Sequence, residues 1–368
     1  MAELLVSDPD RLGPLRRLLE GGDLPYRLVP SRSGSLWLFP EHSKRVKGIQ
    51  RIFAPRNPLL RLAWAAWRAG LPVGARVALN SRCLRELFAD VAPGLRVEGV
   101  VVYVGTPGAY RKAVLGFWEG GAARVVVKLA LVPAADPWVV WEARVLERLK
   151  DSGESLAPKL LRTGQYAERA FHATEPVTGS PGPSRLTQAH FAYSAWLFGL
   201  EPSRHVWAES PLFGEWLADL SQKGLSRVFP TLERSLIWLE ERLSRLVLSF
   251  GWAHRDFVPW NTRWVEGRLL LLDWEMARPH RPPAYDLLHF VSMQTALRGG
   301  SARIPWQVLR VWLELHAPEW AGLEQELYAA YLLDQALYYA RARLEAPEVG
   351  ENRVLNWLLG ELRSVVGG

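Results

Sequence analysis

Between residues 254 and 273 the chain carries three short polar side chains at spacings that leave few foldings open. His254-Arg255-Asp256-Phe257-Val258-Pro259-Trp260-Asn261 is followed, twelve residues after the asparagine, by Asp273 at the end of Leu269-Leu270-Leu271-Leu272. Thr262-Arg263-Trp264-Val265 and Arg268 to Leu272 flank Glu266-Gly267, which reads as a two-residue hairpin turn. In that register Asn261 lies opposite Leu272, so the side chains of Asn261 and Asp273 emerge at one end of the ribbon, with Asp256 in the loop just before it. One carboxylate, one carboxamide and a second carboxylate then share a small volume, an all-oxygen set suited to Mg²⁺ bridging phosphates. With eight His, eleven Asp and five Asn in 368 residues, His-x-Asp-x-x-x-x-Asn is expected by chance about 0.003 times. The alternative is a plain turn with an Asx cap.

Around this segment the texture divides. Val100 to Val104, Ala113 to Trp118 and Arg124 to Leu131 are β-branched or apolar runs separated by Gly105-Thr106-Pro107-Gly108 and Glu119-Gly120-Gly121, the pattern of a three-stranded antiparallel meander. Asp136-Pro137 reads as an N-cap with proline in the first helical turn, opening a helix to about Lys150. The apolar segment Ala170 to Val177 runs into Thr178-Gly179-Ser180-Pro181-Gly182-Pro183, a linker composition. Beyond it the pattern is helical to the C-terminus, apart from one β insertion between Gly251 and Arg278. We therefore expect three segments: 1–97, a basic N-terminal region without a motif; 98–180, a small β-rich lobe; and 181–368, a larger helical lobe. A crevice between lobes is where ligands tend to bind.

The central run with its distal Leu272-Asp273-Trp274-Glu275 resembles the eukaryotic-like kinase fold in its aminoglycoside phosphotransferase and choline kinase branch. Protein kinases carry Asp-Phe-Gly where this chain has Asp273-Trp274-Glu275, and no Ala-Pro-Glu closes the segment from Asp273 to Asp286. The resemblance implies an α+β, two-lobed protein-kinase-like fold, with a small antiparallel-sheet N-lobe and a larger helical C-lobe. It also implies phosphorylation of a hydroxyl on a small molecule such as a sugar, an aminoglycoside or an amino alcohol, with ATP or GTP and Mg²⁺ as cofactors. Asp256 would orient and deprotonate the acceptor hydroxyl, Asn261 and Asp273 would hold Mg²⁺, and His254 would brace the loop. Asp286 matches the acid that tethers the catalytic loop; read locally, it is equally a helix N-terminal acid meeting the dipole.

Upstream, the resemblance asks for a phosphate-binding lysine on a central strand. Lys128, one of only seven lysines, stands in Val125-Val126-Val127-Lys128-Leu129; its other reading is an edge-strand lysine that blocks aggregation. On the following helix Trp138, Glu142, Val145 and Leu149 share one stripe, which puts Glu142 on the apolar face and in need of a cation such as Lys128, unless it is a rim carboxylate. Glu147, with Arg144 and Lys150 three residues to either side, reads as solvated. Gly105 and Gly108, in Gly105-Thr106-Pro107-Gly108-Ala109-Tyr110, occupy the place of the nucleotide flap, where backbone N–H groups meet phosphates, or form a plain turn. Phe171 to Gly179 falls at the hinge: the carbonyl of Glu175 and the N–H of Val177 would face the purine edge, with Thr174 behind and Pro176 stiffening the segment.

Charge and composition bound the remaining classes. Residues 1–100 hold 16 Lys+Arg and 9 Asp+Glu, while residues 101–368 hold 29 of each, so the net +7 resides in the first hundred. From His42 to Arg85 there are ten cations and no acid, and Leu59 to Arg68 reads as a short amphipathic helix. This is a solvated arginine-rich face or a docking surface for a membrane or a partner protein through residues 42–85; no zinc-finger, RNP or basic-zipper pattern accompanies it, so nucleic acid is not expected. The second function class is accordingly a nucleotide-binding scaffold with little turnover, docked through that region. An aminoglycoside is a polycation, and residues 101–368 carry no acidic cluster to receive one. A lone Cys83 excludes an internal disulfide, the apolar runs are too short to span a bilayer, and Met1-Ala2-Glu3-Leu4-Leu5 lacks signal-peptide character. We expect a reduced, cytoplasmic protein.

Overall fold

The computed structural model describes residues 13–30, 34–41, 62, 65, 66, 74–151, 156–222, 224–345 and 352–367. Of the basic run 42–85 it describes only residues 62, 65, 66 and 74–85, so the amphipathic helix read over Leu59 to Arg68 lies largely outside the described residues. The chain forms two compact units, Met1–Ser180 and Pro181–Gly368.

The first unit is built on one eight-stranded antiparallel sheet: β1 (Leu24–Pro30), β2 (Leu36–Pro40), β3 (Ala75–Leu79), β4 (Gly99–Val104), β5 (Lys112–Glu119), β6 (Ala122–Ala130), β7 (Leu160–Tyr166) and β8 (Arg169–Thr174), in the order β3-β1-β2-β4-β5-β6-β8-β7. The meander expected from residue 100 onward is its centre, β4-β5-β6. Three further strands come from the segment that the sequence sets apart as 1–97. Alternation decides the faces. Val100, Val102, Val104, Ala113, Leu115, Phe117, Val125, Val127 and Leu129 point to one side, where they bury Leu84, Leu87 and Val91 of helix α1 (Ser81–Val91). Asn80 caps that helix, its side chain accepting from the N–H of Arg82 and Cys83. Val101, Val126 and Lys128 occupy the opposite face. Gly120 and Gly121, both with positive φ, close the β5–β6 hairpin in the backbone conformation that two-residue turns require.

Helix α2 (Asp136–Asp151) follows β6 and buries Val139, Ala143, Val145, Leu146 and Leu149. Asp136 does not act as the simple N-cap that its sequence position suggests. Its carboxylate is taken by β8, accepting from the N–H of Ala170 at 2.7 Å and pairing with Arg169. The helix start is thereby fastened to the sheet.

In the second unit, α3 (Gln188–Phe198), β9 (Ser203–Val206), α4 (Pro211–Gln222) and α5 (Pro230–Leu243) precede β10 (Val247–Ala253). The hairpin β11 (Thr262–Val265) and β12 (Arg268–Leu271) follows, then β13 (Arg278–Arg281) and helices α6 (Tyr285–Arg298), α7 (Trp306–His316), α8 (Glu324–Glu345) and α9 (Arg353–Gly367). Besides the expected hairpin, β10 is flanked by β9 and β13 in a small antiparallel sheet. Gly251 lets β10 pass against α3: a Cβ there would lie 2.2 Å from the carbonyl oxygen of Phe198. From Leu327 to Leu337 every residue of α8 is buried, which makes it the central rod of the unit. Trp207, Trp216, Phe250 and Trp320 pack near it in edge and stacked geometries. Among the described residues no helix is long and apolar enough to cross a membrane.

Candidate active site

The loop leaving β10 is held from three directions. His254, fully buried, approaches the carbonyl of Leu272 with Nε2 at 3.0 Å, while the N–H of Asp256 donates to its Nδ1 at 3.3 Å. These contacts assign the neutral Nε2–H tautomer and tie the loop to the far end of the hairpin. Asp286, in the first turn of α6, accepts from the N–H of His254 and from the N–H of Arg255, each at 2.9 Å. Its carboxylate is thus taken by the loop, while its place in the first turn of α6 also sets it at the positive end of that helix. Burial pushes the Asp286 carboxyl up to about 6 from 3.8, against the lowering effect of the two N–H bonds.

The hairpin turn brings Asn261 to the same place. Glu266 and Gly267 both take positive φ, Thr262 pairs with Leu271, and the N–H of Leu272 donates to the carbonyl of Asn261 at 2.7 Å. Asn261 therefore sits opposite Leu272, and its amide donates to Asp256 Oδ2 at 2.6 Å and to the Asp256 carbonyl at 3.0 Å. Asp273 begins the next turn with φ +70°, a left-handed conformation that costs a non-glycine residue about 1 kcal/mol or more. Asp256 is 27% exposed at its side chain. Desolvation raises its pKa, the contacts with His289 and Asn261 oppose that rise, and the charge of Asp273 adds to it.

Two parts of this surrounding were not legible in the sequence. His289, on α6 and almost wholly buried, places Nε2 3.4 Å from Asp256 Oδ1, with Nδ1 3.3 Å from the hydroxyl of Tyr331. Arg255 is buried and paired with Asp334 of α8, Nη2 lying 2.7 Å from Oδ2. A fully buried arginine is rarely left without a counter-ion, yet nothing local selects one 79 residues away.

In the first unit Lys128 lies on an interior strand, paired with Val114 of β5 and His172 of β8, so it guards no sheet edge. Its Nζ is 2.5 Å from Glu142 Oε2, with side chains 13% and 5% exposed. Glu142 is therefore no rim carboxylate. His172 Nε2 lies 3.8 Å from the same oxygen, with Nδ1 3.2 Å from the carbonyl of Val139. Glu147 is exposed and meets Lys150 at 3.3 Å. In the flap segment the N–H of Gly105 donates to the carbonyl of Lys112, and Arg111 Nε donates to the carbonyl of Gly105, both at 2.9 Å. The turn around Gly108 is open enough that a Cβ there would meet nothing within 4 Å. At the end of β8, Thr174 is buried against the carbonyl of Val126; the Glu175 N–H donates to Lys159, whose ammonium meets the Glu175 carboxylate at 2.9 Å. Pro176 and Val177 follow outside any strand or helix and are partly buried.

Comparison with known proteins places these features in a lineage. A model of the phosphotransferase enzyme family matches residues 114–308. No curated protein sequence matches the chain. Among solved structures, the chain is similar to a thermostable mutant of aminoglycoside phosphotransferase APH(4)-Ia in ternary complex with ADP and hygromycin B, at 14% identity and a TM-score of 0.50, over 77% of this chain and 97% of that one. A choline/ethanolamine kinase family protein from Mesorhizobium loti is matched at 15% identity and a TM-score of 0.44, over 77% and 94%. The likeness to APH(4)-Ia is one of fold, the two-lobed kinase-like architecture. The matched segment spans more than half of the sequence and contains Lys128, Glu142, His254, Asp256, Asn261, Asp273 and Asp286; the chain belongs to the phosphotransferase enzyme family.

Proposed function

We propose that the chain is an ATP- and Mg²⁺-dependent kinase that transfers the γ-phosphoryl group to a hydroxyl of a small molecule, such as a sugar or an amino alcohol. The observation that carries this reading is the Asp256–Asn261 contact at 2.6 Å, which fixes one carboxylate oxygen while the other lies 3.4 Å from His289 Nε2. Asp256 orients the acceptor hydroxyl and takes its proton as the new P–O bond forms and the electron pair of the broken bond leaves with ADP. Its raised pKa makes it the stronger base. Lys128, held by Glu142, binds phosphate oxygens, and in the Gly105–Gly108 turn the N–H groups of Thr106 and Gly108 add neutral donors, that of Gly105 being spent on the Lys112 carbonyl. Backbone groups at Glu175 and Val177 receive the base.

Asn261 and Asp273 suit Mg²⁺ by donor chemistry. With the Asn261 NH₂ engaged by Asp256, the atom it offers a cation is a carbonyl oxygen, and Asp273 adds a carboxylate, both hard donors. Bound there, the ion would neutralise phosphate charge. The APH(4)-Ia complex, with ADP and hygromycin B, supports a fold that takes a nucleotide and a small acceptor together.

Purified wild type and Asp256→Asn should be compared for ATP turnover with a panel of sugars, amino alcohols and aminoglycosides. Acceptor-stimulated turnover in the wild type, reduced by about 10³-fold or more in the variant with nucleotide affinity retained, is the expected result. Equal turnover in both proteins overturns the assignment of Asp256, and absence of nucleotide binding overturns the whole reading.

A further inference from the structure

We infer that helix α8 belongs to the catalytic apparatus: Asp334 and Gln335 are positioning residues that set the loop carrying Asp256 by holding Arg255. The inference rests on the reading of Asp256 as the residue that meets the acceptor hydroxyl. Both residues lie beyond the segment 114–308 matched by the family model, so the match assigns them nothing.

Arg255 is gripped at every polar group it has. Asp286 takes its N–H, Gln335 Nε2 donates to its carbonyl at 3.0 Å, and its guanidinium reaches Asp334 through Nε at 2.8 Å and Nη2 at 2.7 Å. The residue also sits at φ +66°. A non-glycine residue holds that left-handed conformation only where its surroundings over-determine it. Asp256 is the next residue, so whatever fixes the Arg255 backbone fixes the direction in which the Asp256 side chain leaves the chain.

Asp334 is built for this grip. It is 4% exposed, and besides Arg255 it accepts from the Tyr285 hydroxyl at 2.5 Å and from Trp216 Nε1 at 3.0 Å, with Arg281 Nε at 3.5 Å. Arg281 reaches on to Glu215 at 2.6 Å, and Gln335 Nε2 also meets the Tyr285 hydroxyl at 2.9 Å. Buried ion pairs of this kind are matched in stability by apolar residues of similar volume. Stability alone therefore gives this network no reason to be charged. What an apolar replacement lacks is direction: a fork of donors on a carboxylate whose other lone pairs are taken admits a single arrangement of the loop.

Gln335→Met keeps the volume and removes both donated hydrogen bonds without stranding a charge. We expect kcat for acceptor phosphorylation to fall by at least about tenfold, the scale set by small displacements at a reacting centre, while nucleotide affinity and binding stoichiometry stay within about twofold of wild type. Asp334→Asn keeps an acceptor for Trp216 but strands Arg255. If it does not fold, Arg255→Met with Asp334→Asn removes both charges together, leaves Arg281 its Glu215 partner, and is expected to fold and show the same kcat loss. A fall in kcat that merely follows a fall in binding stoichiometry means a structural role and overturns the inference, as does wild-type kcat in both Gln335→Met and the charge-free double variant. Asp256→Asn run in parallel separates the two levels: if it keeps turnover, the base assignment fails; if it is inactive while the α8 variants are unaffected, only the positioning role fails.

Discussion

Replacing Asp286 by asparagine separates the stability of the second unit from its turnover. The wild-type carboxylate is 2% exposed and accepts two backbone N–H groups, from His254 and Arg255, each at 2.9 Å. Burial lifts its pKa to about 6 from 3.8, a rise equivalent to about 3 kcal/mol against the ionised form in the folded protein. The folded state therefore binds more proton than the unfolded state between those two values. Stability is greatest below the lower one and falls as pH rises through the upper one, so above neutrality the whole cost is present. Asparagine carries no charge and escapes that cost. Its NH₂ group, however, faces one of the two N–H groups, and a buried donor without an acceptor costs about 1–3 kcal/mol. The two effects nearly cancel. Asp286→Asn should lie within about 2 kcal/mol of wild type near pH 8 and should lose the acid-side slope, while turnover drops at least about tenfold because one anchor of the loop before Asp256 is gone. Urea unfolding followed by tryptophan fluorescence near pH 5 and pH 8, beside steady-state kinetics, measures both. Destabilisation above about 4 kcal/mol near pH 8, or an unchanged pH slope, refutes the electrostatic reasoning; unchanged turnover refutes the anchoring role.

Three further outcomes follow from the same geometry. Glu142→Gln removes the 2.5 Å carboxylate partner of a mostly buried Lys128, so the first unit should lose up to about 3 kcal/mol and nucleotide should bind more weakly by calorimetry; wild-type values for both would sink the pairing role. His190 is fully buried, and burial depresses its pKa to about 4 from 6.5. The unfolded chain protonates first as pH falls, so this residue's contribution should decline from the upper value to the lower by about 3 kcal/mol in total; because Asp286 contributes the opposite slope over nearly the same range, His190→Phe should tilt the denaturation midpoint towards lower stability as pH rises, relative to wild type, and an unaltered dependence counts against a neutral His190. Gly251→Ala puts a Cβ 2.2 Å from the Phe198 carbonyl and 2.5 Å from its ring, an overlap that should cost about 2 kcal/mol or more; an unshifted melting temperature would show that α3 and β10 yield without strain.

What the amino-acid sequence settles by itself is local. The Glu266-Gly267 turn sets the hairpin register and hence the meeting of Asn261 with Leu272 and Asp256, because a two-residue loop admits one pairing. Helical spacing puts Glu142 on the buried face of α2, and β-branched neighbours put Lys128 on a strand. Each of these depends on residues within a few positions of one another. Tertiary structure decides the rest. β1 carries Pro25 and Pro30, a composition that speaks against an interior strand, yet it pairs with both β2 and β3, the prolines falling at its ends where few ladder bonds are missed. Asp136 looks like a cap and serves β8 instead. His289 and Asp334 reach the loop after β10 from 33 and 79 residues beyond the residues they contact. Periodicity and turn chemistry are written in neighbouring residues. Which distant carboxylate neutralises Arg255 follows only from how α6 and α8 pack, since a buried charge takes whichever partner the core delivers to it.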